Sequence, residues 1–256
     1  MANEMKWGEL LHDAVSIPGR VNAAYRAFHR FSIGNQIAAA CQLVMRGLDV
    51  SPIASYKAWQ DKGRQVKKGE KAISLCMPVT SKKVNKETGE EEKSCFFVWR
   101  ANWFSLSQTE GDAVDNEPAN PAWEAAKAMS KLDITEKPFG MLNGNVQGYA
   151  EGRNISINPL ASLPHKTRFH EMAHIMLGHT ADAAMSDAPE LPRSIQECEA
   201  ESVAYILCSI FGLPGQEESR AYIQSWYGSS EIPEKNAKRI FAAADKILKA
   251  GQDKQD

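Results

Sequence analysis

The sequence contains no long hydrophobic run. No stretch approaches the roughly 18–20 consecutive apolar residues that a membrane-spanning helix needs. The first fifteen residues, MANEMKWGELLHDAV, also lack the apolar segment that is typical of a signal peptide. We therefore expect no membrane partner and a cytoplasmic location.

Cysteine is sparse, with five residues and no C-x-x-C pair. This count and spacing exclude a dense disulfide scaffold and a zinc ribbon as sources of stability. Reduced thiols are the simplest interpretation, in agreement with the expected cytoplasmic location. The cysteines are Cys41, Cys76, Cys95, Cys198 and Cys208.

A strong overall charge is also missing, because the formal net charge is only −2. The charge is nevertheless uneven along the chain. Residues 1–110 contain 16 Lys or Arg and 11 Asp or Glu, whereas residues 111–256 contain 14 and 21. Such asymmetry favours two modules with different partners. Ordinary surface variation can also produce a difference of this size.

A linker is predicted between these two parts. The stretch TEGDAVDNEPANPAW is acidic, contains Pro118 and Pro121, and has no apolar periodicity. We therefore predict an N-terminal domain at 1–110, a linker at 111–121 and a C-terminal domain at 122–256.

Both predicted domains mix helices and strands, so the fold class is α+β. In the first domain, helical spacing over 20–48 precedes two β-rich segments, 71–79 and 95–106, with a charged hairpin tip between them. The second is mainly helical, with one short strand that ends at Asn158-Pro159. Its predicted helices cover 122–132, 163–177, 194–211 and the C-terminal amphipathic stretch.

The stretch RFHEMAHIMLGHT carries the clearest chemical signal, an H-E-x-x-H pattern formed by His170, Glu171 and His174. On a helix, residues i and i+4 share a face, so the two imidazoles can bind one metal ion. Glu171 lies about 100° round the helix from His170 and would act as general base rather than ligand. We expect Zn²⁺, although Mn²⁺ or Co²⁺ suits the same donors.

Two histidines near a helix end can also be packed or solvated without any metal. The flanking residues favour a metal site, because they are apolar and predict a largely buried helix. Burial of two imidazoles and a carboxylate without partners would be costly. These flanking residues are Phe169, Ala173, Ile175, Met176 and Leu177.

The third ligand must come from elsewhere. One known pattern places a third histidine ligand six residues after the second, which would be position 180. That position is Thr180, and His179 is one residue too early, so we assign His179 a supporting or structural role. In QECEAESVAYIL, Glu197 and Glu201 share a helix face. We predict Glu197 as ligand and Glu201 as the carboxylate that orients a ligand histidine, with Glu201 also the main rival for ligation.

A capping box is the alternative for Glu197. Ser194 followed three residues later by Glu197 matches the S-x-x-E pattern. If the helix starts at Ser194, capping is the better explanation. If it starts earlier, ligation is.

Two groups of motifs resemble one known family. SYKAWQDKGRQVKKGEKAISLCMPV and FFVWRANWFSLSQTEG resemble the N-terminal domain of ArdC-type antirestriction proteins. HEMAHIMLGHT, ECEAESVAY and AYIQSWYGSSEIPEKNAKRIFAAADKI resemble the zincin-like metallopeptidase domain of the same family. The resemblance implies a domain that binds single-stranded DNA, joined to a mainly helical, gluzincin-type domain with a small sheet. By motif match, it also assigns His170, His174 and Glu197 as metal ligands and Glu171 as the general base.

The basic residues of the first domain agree with the implied DNA-binding role. Single-strand binders combine a basic groove with aromatic platforms for bases. The alternative is that lysine runs are solvated surface and that alternating strand aromatics are core, so at most one face of 95–106 can expose aromatics. We expect DNA contacts from Lys57, Arg64, Lys67, Lys68, Lys71 and Arg100, with Trp59 or Trp99 stacking on bases.

The expected function is protection of mobile-element DNA from host restriction by a DNA-bound metallopeptidase. Its protein substrate is not identified by the sequence, and the host restriction machinery is one candidate. One alternative is an antirestriction protein with a catalytically idle metal site. Another is a regulatory or DNA–protein-crosslink protease, and a third is a basic half that binds protein rather than DNA.

Overall fold

The computed structural model describes residues 5–84, 91–114, 122–141, 145–180, 191–227 and 232–253. Its helices and strands give an α+β architecture, as predicted. The helices are α1 (Trp7–Ser16), α2 (Arg20–Phe28), α3 (Ile33–Met45), α4 (Tyr56–Asp61), α5 (Ala125–Lys131), α6 (Pro164–Leu177), α7 (Arg193–Phe211), α8 (Gln216–Tyr227) and α9 (Glu234–Gly251). The strands are β1 (Ile53–Ser55), β2 (Arg64–Val66), β3 (Ile73–Val84), β4 (Glu91–Ser105), β5 (Thr109–Gly111), β6 (Thr135–Glu136), β7 (Gly148–Glu151) and β8 (Asn154–Ile157).

None of the helices within these ranges combines the length and the apolar character needed to cross a bilayer.

Two compact units divide the chain. The first contains Met1–Met5 and Ala38–Pro118, and the second contains Lys6–Ile37 and Ala119–Asp256. The C-terminal boundary of the first unit falls within the predicted linker, of which residues 115–121 lie outside the described part. The predicted first domain, 1–110, differs from this division, because residues 6–37 belong to the second unit.

Helices α1 and α2 pack on α7 and α9 of the second unit. Leu10, Leu11 and Val21 are buried to within 2% of full burial. Side-chain contacts fix the packing: Nδ2 of Asn22 donates to the carbonyl of Ser209 at 3.1 Å. Helix α2 falls within the predicted helical stretch 20–48, whereas α1 was not predicted. A helical pattern in the sequence does not say which core the helix will cover.

The first unit is built on the long β3–β4 hairpin, which forms a sheet of order β1-β4-β3. The predicted strands within 71–79 and 95–106 are present and extend further, to Val84 and back to Glu91. The tip at 85–90 lies outside the described residues. Short helix α4 ends before Gly63, whose φ of +71° is accessible to glycine at little cost.

Helix α7 lies at the centre of the second unit and is buried almost continuously from Cys198 to Ile210. Helix α6 packs along α7 and against strands β7 and β8. The predicted single strand before Asn158-Pro159 is in fact the hairpin β7–β8, with a turn at Gly152 that has a φ of +55°. The sheet order is β6-β8-β7, which leaves β7 at one edge.

Candidate metal centre and nucleic-acid surface

Helix α6 carries the H-E-x-x-H residues in its last two turns. Pro164 occupies the first turn, where its missing N–H has no cost, and Gly178 ends the helix in the left-handed conformation with a φ of +76°. The predicted helix over 163–177 is therefore reproduced almost to the residue. Its geometry places His170 and His174 on one face, with their ring centroids 4.8 Å apart.

Three donor atoms converge between α6 and α7. Nε2 of His170 lies 3.1 Å from Nε2 of His174 and 3.2 Å from Oε2 of Glu197, and the remaining separation is 3.6 Å. A tetrahedral ion bound at about 2.0–2.1 Å holds its ligand atoms roughly 3.3 Å apart. The spacing and the donor types thus suit one small divalent cation.

The start of α7 decides against the capping box. The helix begins at Arg193, with Pro192 at the cap position and no side-chain capping hydrogen bond. Ser194 is therefore inside the helix, where it cannot act as its N-cap. Glu197 instead turns its carboxylate toward the two histidines, which is the condition under which we predicted ligation.

Glu201 contacts His170 at Nδ1, the ring nitrogen that is not one of the three donor atoms. Its Oε2 lies 3.0 Å from Nδ1 of His170, and its Oε1 pairs with Nζ of Lys166 at 2.7 Å. Burial alone would raise the pKa of Glu201, but hydrogen bonds from His170, Lys166 and Ser219 outweigh it and lower the pKa to about 2. Glu201 thus lies within hydrogen-bond distance of His170, as the predicted orienting role requires, and Lys166 is an added partner that the sequence did not indicate.

The protonation of His170 reflects the same carboxylates. Burial disfavours the imidazolium, but hydrogen bonds to Glu197 and Glu201 outweigh it and raise the pKa of His170 to about 9. The hydrogen bond with His170 also contributes most to lowering the pKa of Glu197 below its usual range. The cluster therefore holds a proton that a cation would have to displace.

His174 has a different partner. Its Nδ1 lies 3.0 Å from Nδ1 of His179, and Nε2 of His179 lies 2.8 Å from Oε2 of Glu199. Burial lowers the pKa of His179, partly offset by the hydrogen bond with Glu199. His179 was predicted in a supporting role. Glu199 was not predicted in any, because it points away from Glu197 on the helix.

Glu171 is buried beside the donor atoms, with 8% of its surface exposed. Desolvation raises the pKa of its carboxyl, while the neighbouring His170 and His174 oppose that shift. Close packing fixes its position: a Cβ added at Gly148 on β7 would lie 3.3 Å from Cγ of Glu171 and 2.6 Å from Cγ2 of Thr167. A raised pKa makes this carboxylate a stronger proton acceptor than an ordinary glutamate.

A cleft of about 640 Å³ opens over these side chains. One wall is formed by α6 and α7, and another by residues 146–150, which include the start of edge strand β7. The catalytic candidate Glu171 and the donors His170, His174 and Glu197 all line it. The donor atoms are therefore accessible from this cleft.

The predicted DNA contacts fall into two groups. Five cationic side chains are exposed as expected, while Arg64 is engaged inside the first unit: its guanidinium donates to Thr109 Oγ1 at 2.8 Å and to the carbonyls of Thr109, Gly111 and Asp112. Arg64 thus links β2 to β5 through hydrogen bonds and has a structural role. The exposed residues are Lys57, Lys67, Lys68, Lys71 and Arg100.

The predicted stacking residues require a correction. Trp59 is only 2% exposed, and its indole Nε1 donates to the carbonyl of Phe104 at 2.8 Å. It is a core residue, because α4 packs its inner face on β4, and it cannot stack on a base. Trp99 is half-buried.

The aromatic residues that are exposed lie further along β4. Phe96 and Phe97 are 47% and 68% exposed and pair with Val79 and Pro78 of β3. Successive strand residues face opposite sides, so the expectation that only one face exposes aromatics is wrong. Their exposure depends on what covers the hairpin, which a local sequence pattern does not reveal.

Comparison with known proteins finds a family model and a protein that are similar to parts of this chain. Residues 8–104 match the model of the N-terminal domain of anti-restriction factor ArdC. An uncharacterised protein of Bacillus anthracis, pXO2-81, is 25% identical over 73% of this chain, which spans only 40% of that relative's length.

Two solved structures share the fold. The metal-free crystal structure of the ArdC protein from plasmid R388 aligns with a TM-score of 0.55 and 19% identity, covering 95% of this chain and 94% of that one. The Mn(II)-bound structure of that protein gives a TM-score of 0.54 and 18% identity, covering 97% and 99%. Residues 8–104 therefore match the ArdC N-terminal domain family, and the chain shares its fold with the R388 ArdC protein.

Proposed function

We propose that the protein binds single-stranded DNA through its first unit and hydrolyses a protein substrate at a divalent-metal site in its second, zincin-like unit. Together these activities would protect incoming DNA from restriction. The observation that carries the proposal is the convergence of Nε2 of His170, Nε2 of His174 and Oε2 of Glu197 within a cleft that also exposes Glu171.

The donor set supports a metal. Two neutral imidazoles and one carboxylate are the ligands of many catalytic zinc sites, which keep one further position open. The related R388 protein has a Mn(II)-bound structure, which favours a divalent ion here too. We propose His170, His174 and Glu197 as the ligands of Zn²⁺, with Mn²⁺ or Co²⁺ compatible with the same atoms. A bound cation of this kind would polarise a carbonyl and acidify water.

Glu171 would move the protons of the reaction. Its buried carboxylate adjoins the donor atoms, and its pKa is raised by desolvation, against the opposing effect of the histidines. Such a group can take a proton from the attacking water and deliver it to the leaving amine. Removal of this carboxylate should stop hydrolysis while the three ligands remain in place.

The edge strand β7 suggests the form of the substrate. In the described sheet, β7 pairs on one side with β8 only, and residues 146–150 line the cleft. An extended peptide can add to a sheet edge through main-chain hydrogen bonds. We propose that a peptide binds along β7, which would carry its carbonyl past the donor atoms.

The first unit supplies the features expected of a single-strand binder. Exposed lysines can neutralise phosphates, and an exposed aromatic ring such as Phe97 can stack on a base. We propose Phe97 as a stacking residue in place of Trp59. The basic contacts retained from the sequence are Lys57, Lys67, Lys68, Lys71 and Arg100.

A comparison of wild-type protein with Glu171→Gln tests the proposal. Glu217→Gln on α8 is the matched control, because Glu217 is exposed and does not line the cleft. Bound metal, binding to a single-stranded oligonucleotide, peptide hydrolysis and protection from restriction in cells are measured for each. We expect Glu171→Gln to retain metal and DNA binding, and to lose hydrolysis and protection. Retained protection would point to an idle metal site, and absence of bound metal from folded wild type would refute the peptidase proposal.

A further inference from the structure

We propose that Glu199 and His179 form a positioning pair that holds a proton on Nδ1 of His174 and so keeps Nε2 of His174 free to bind metal. This inference rests on the proposed metal site. It assigns a role to a fully buried carboxylate that neither ligates nor enters the cleft.

The orientation of Glu199 is fixed from the side of α9. The residue is 0% exposed, and its Oε1 accepts a hydrogen bond from Nδ2 of Asn236 at 2.9 Å. Nη1 of Arg239 lies 3.6 Å from the same oxygen. A carboxylate placed between an amide donor and a guanidinium acts as a hydrogen-bond acceptor. Its other oxygen therefore presents lone pairs to His179.

The hydrogen-bond direction then follows outward from Glu199. Oε2 can only accept, so Nε2 of His179 at 2.8 Å carries the proton. In a neutral imidazole the second nitrogen is then an acceptor. Nδ1 of His179 lies 3.0 Å from Nδ1 of His174, which must donate. Nε2 of His174 is left with a lone pair directed at the donor cluster.

The opposite tautomers would conflict with the surroundings. A proton on Nδ1 of His179 would leave its Nε2 lone pair facing the carboxylate of Glu199. It would also place the proton of His174 on Nε2, the atom that must ligate. Through His179, the carboxylate of Glu199 thus selects the tautomer of His174. Glu201 acts on His170 directly, through its own hydrogen bond.

The turn after α6 places His179 for this role. Gly178 adopts a left-handed conformation, and the backbone N–H of His179 donates to the carbonyl of His174 at 2.9 Å. The side chain of His179 consequently returns to the ring of His174, with centroids 5.1 Å apart. The position that fails as a third ligand is therefore well placed to orient the second.

Nitrogen-detected NMR of the zinc-titrated full chain reads the tautomers directly, because the sequence has only six histidines. We expect the proton on Nε2 of His179 and on Nδ1 of His174. A proton on Nδ1 of His179 would overturn the inference even if the protein binds zinc. If folded wild type binds no zinc, the proposed metal site and this inference fall together.

Metal affinity of two His179 variants provides a second test, measured by competition with a chromogenic chelator. His179→Leu removes both hydrogen bonds and should weaken zinc binding about 10–100-fold. His179→Gln, whose amide can accept from His174 and donate to Glu199, should lose clearly less. The exposed Glu217→Gln on α8 is the control. Equal losses in both His179 variants, or wild-type affinity in folded His179→Leu, would contradict the positioning role.

Discussion

Nδ1 of His170 lies 3.0 Å from Oε2 of Glu201, while Nε2 of the same ring lies 3.2 Å from Oε2 of Glu197. The two carboxylates of α7 therefore meet opposite sides of one imidazole. Only Glu197 also approaches His174, at 3.6 Å. These distances suit Glu197 to the predicted role of ligand and Glu201 to the predicted role of orienting residue.

Variants of the two carboxylates should weaken metal binding to different extents. Glu201→Gln should reduce zinc affinity about 10–100-fold, because the orientation of a ligand is impaired but all three ligands remain. Glu197→Gln should cause a larger loss, because a ligand itself is replaced. Chelator competition at fixed pH measures both, with Glu151→Gln as an exposed control. A larger loss in Glu201→Gln than in Glu197→Gln would make Glu201 the third ligand.

Metal affinity should rise with pH through the neutral range. In the metal-free protein the pKa of His170 is raised to about 9, so the ring is protonated at pH 7. Metal binding must release that proton, and one released proton makes the affinity about tenfold higher for each added pH unit. The dependence should level off as the pH passes 9.

Calorimetry in buffers of different ionisation enthalpy can count the released protons. We expect about one proton per ion at pH 7 from His170, on the pKa given above. The same titration repeated more than one pH unit above 9 serves as the internal control, because most of His170 is then neutral and few protons are released. A release near zero at both pH values would show that His170 is not charged in the metal-free protein.

Gly148 should tolerate no side chain. An added Cβ would lie 2.6 Å from Cγ2 of Thr167 and 3.1 Å from the carbonyl oxygen of Ser156. Gly148→Ala should therefore force β7 away from α6 and destabilise the fold by about 1–3 kcal/mol. Urea denaturation measures the change, and Gly140→Ala is the control, since its added Cβ meets no described atom within 4 Å. Equal stability of the two variants would contradict this packing.

Much of the candidate metal site could be predicted because its determinants are local. The spacing of His170 and His174 fixes their common face, and Pro164 and Gly178 mark the ends of the helix that carries them. The remaining partners depend on how α6 meets α7 and α9. Lys166 and Glu199 have no distinguishing sequence pattern, so tertiary packing alone reveals their contacts.

The proposed nucleic-acid surface was harder to predict because it depends on burial. Trp59 and Phe97 are both aromatic residues near lysines in the sequence, yet one is 2% exposed and the other 68%. In the sequence, Arg64 likewise resembles its basic neighbours, but its guanidinium donates hydrogen bonds to Thr109 and so links β2 to β5. Side-chain type indicates what a residue can bind, whereas its neighbours in the fold decide whether it is available.

Salt dependence should distinguish the lysines from the aromatic residue in DNA binding. Replacement of Lys67 and Lys68 by alanine should weaken binding to a single-stranded oligonucleotide. It should also reduce the slope of log affinity against log salt by roughly 0.7 per lost phosphate contact. Phe97→Ala should lower affinity by about 1–3 kcal/mol with an unchanged slope, because stacking involves no counterion release.

Met45 provides the matched control for Phe97, since it is an apolar side chain of the same unit and is 82% exposed. Met45→Ala should leave affinity and slope unchanged, because a thioether on the surface offers no ring on which a base can stack. Trp59→Phe should lower the unfolding temperature, because the hydrogen bond to Phe104 is lost, while the folded protein binds DNA as before. If Phe97→Ala behaves like Met45→Ala while Trp59→Phe weakens binding without loss of stability, the ring that contacts DNA is Trp59 and this assignment of the surface is wrong.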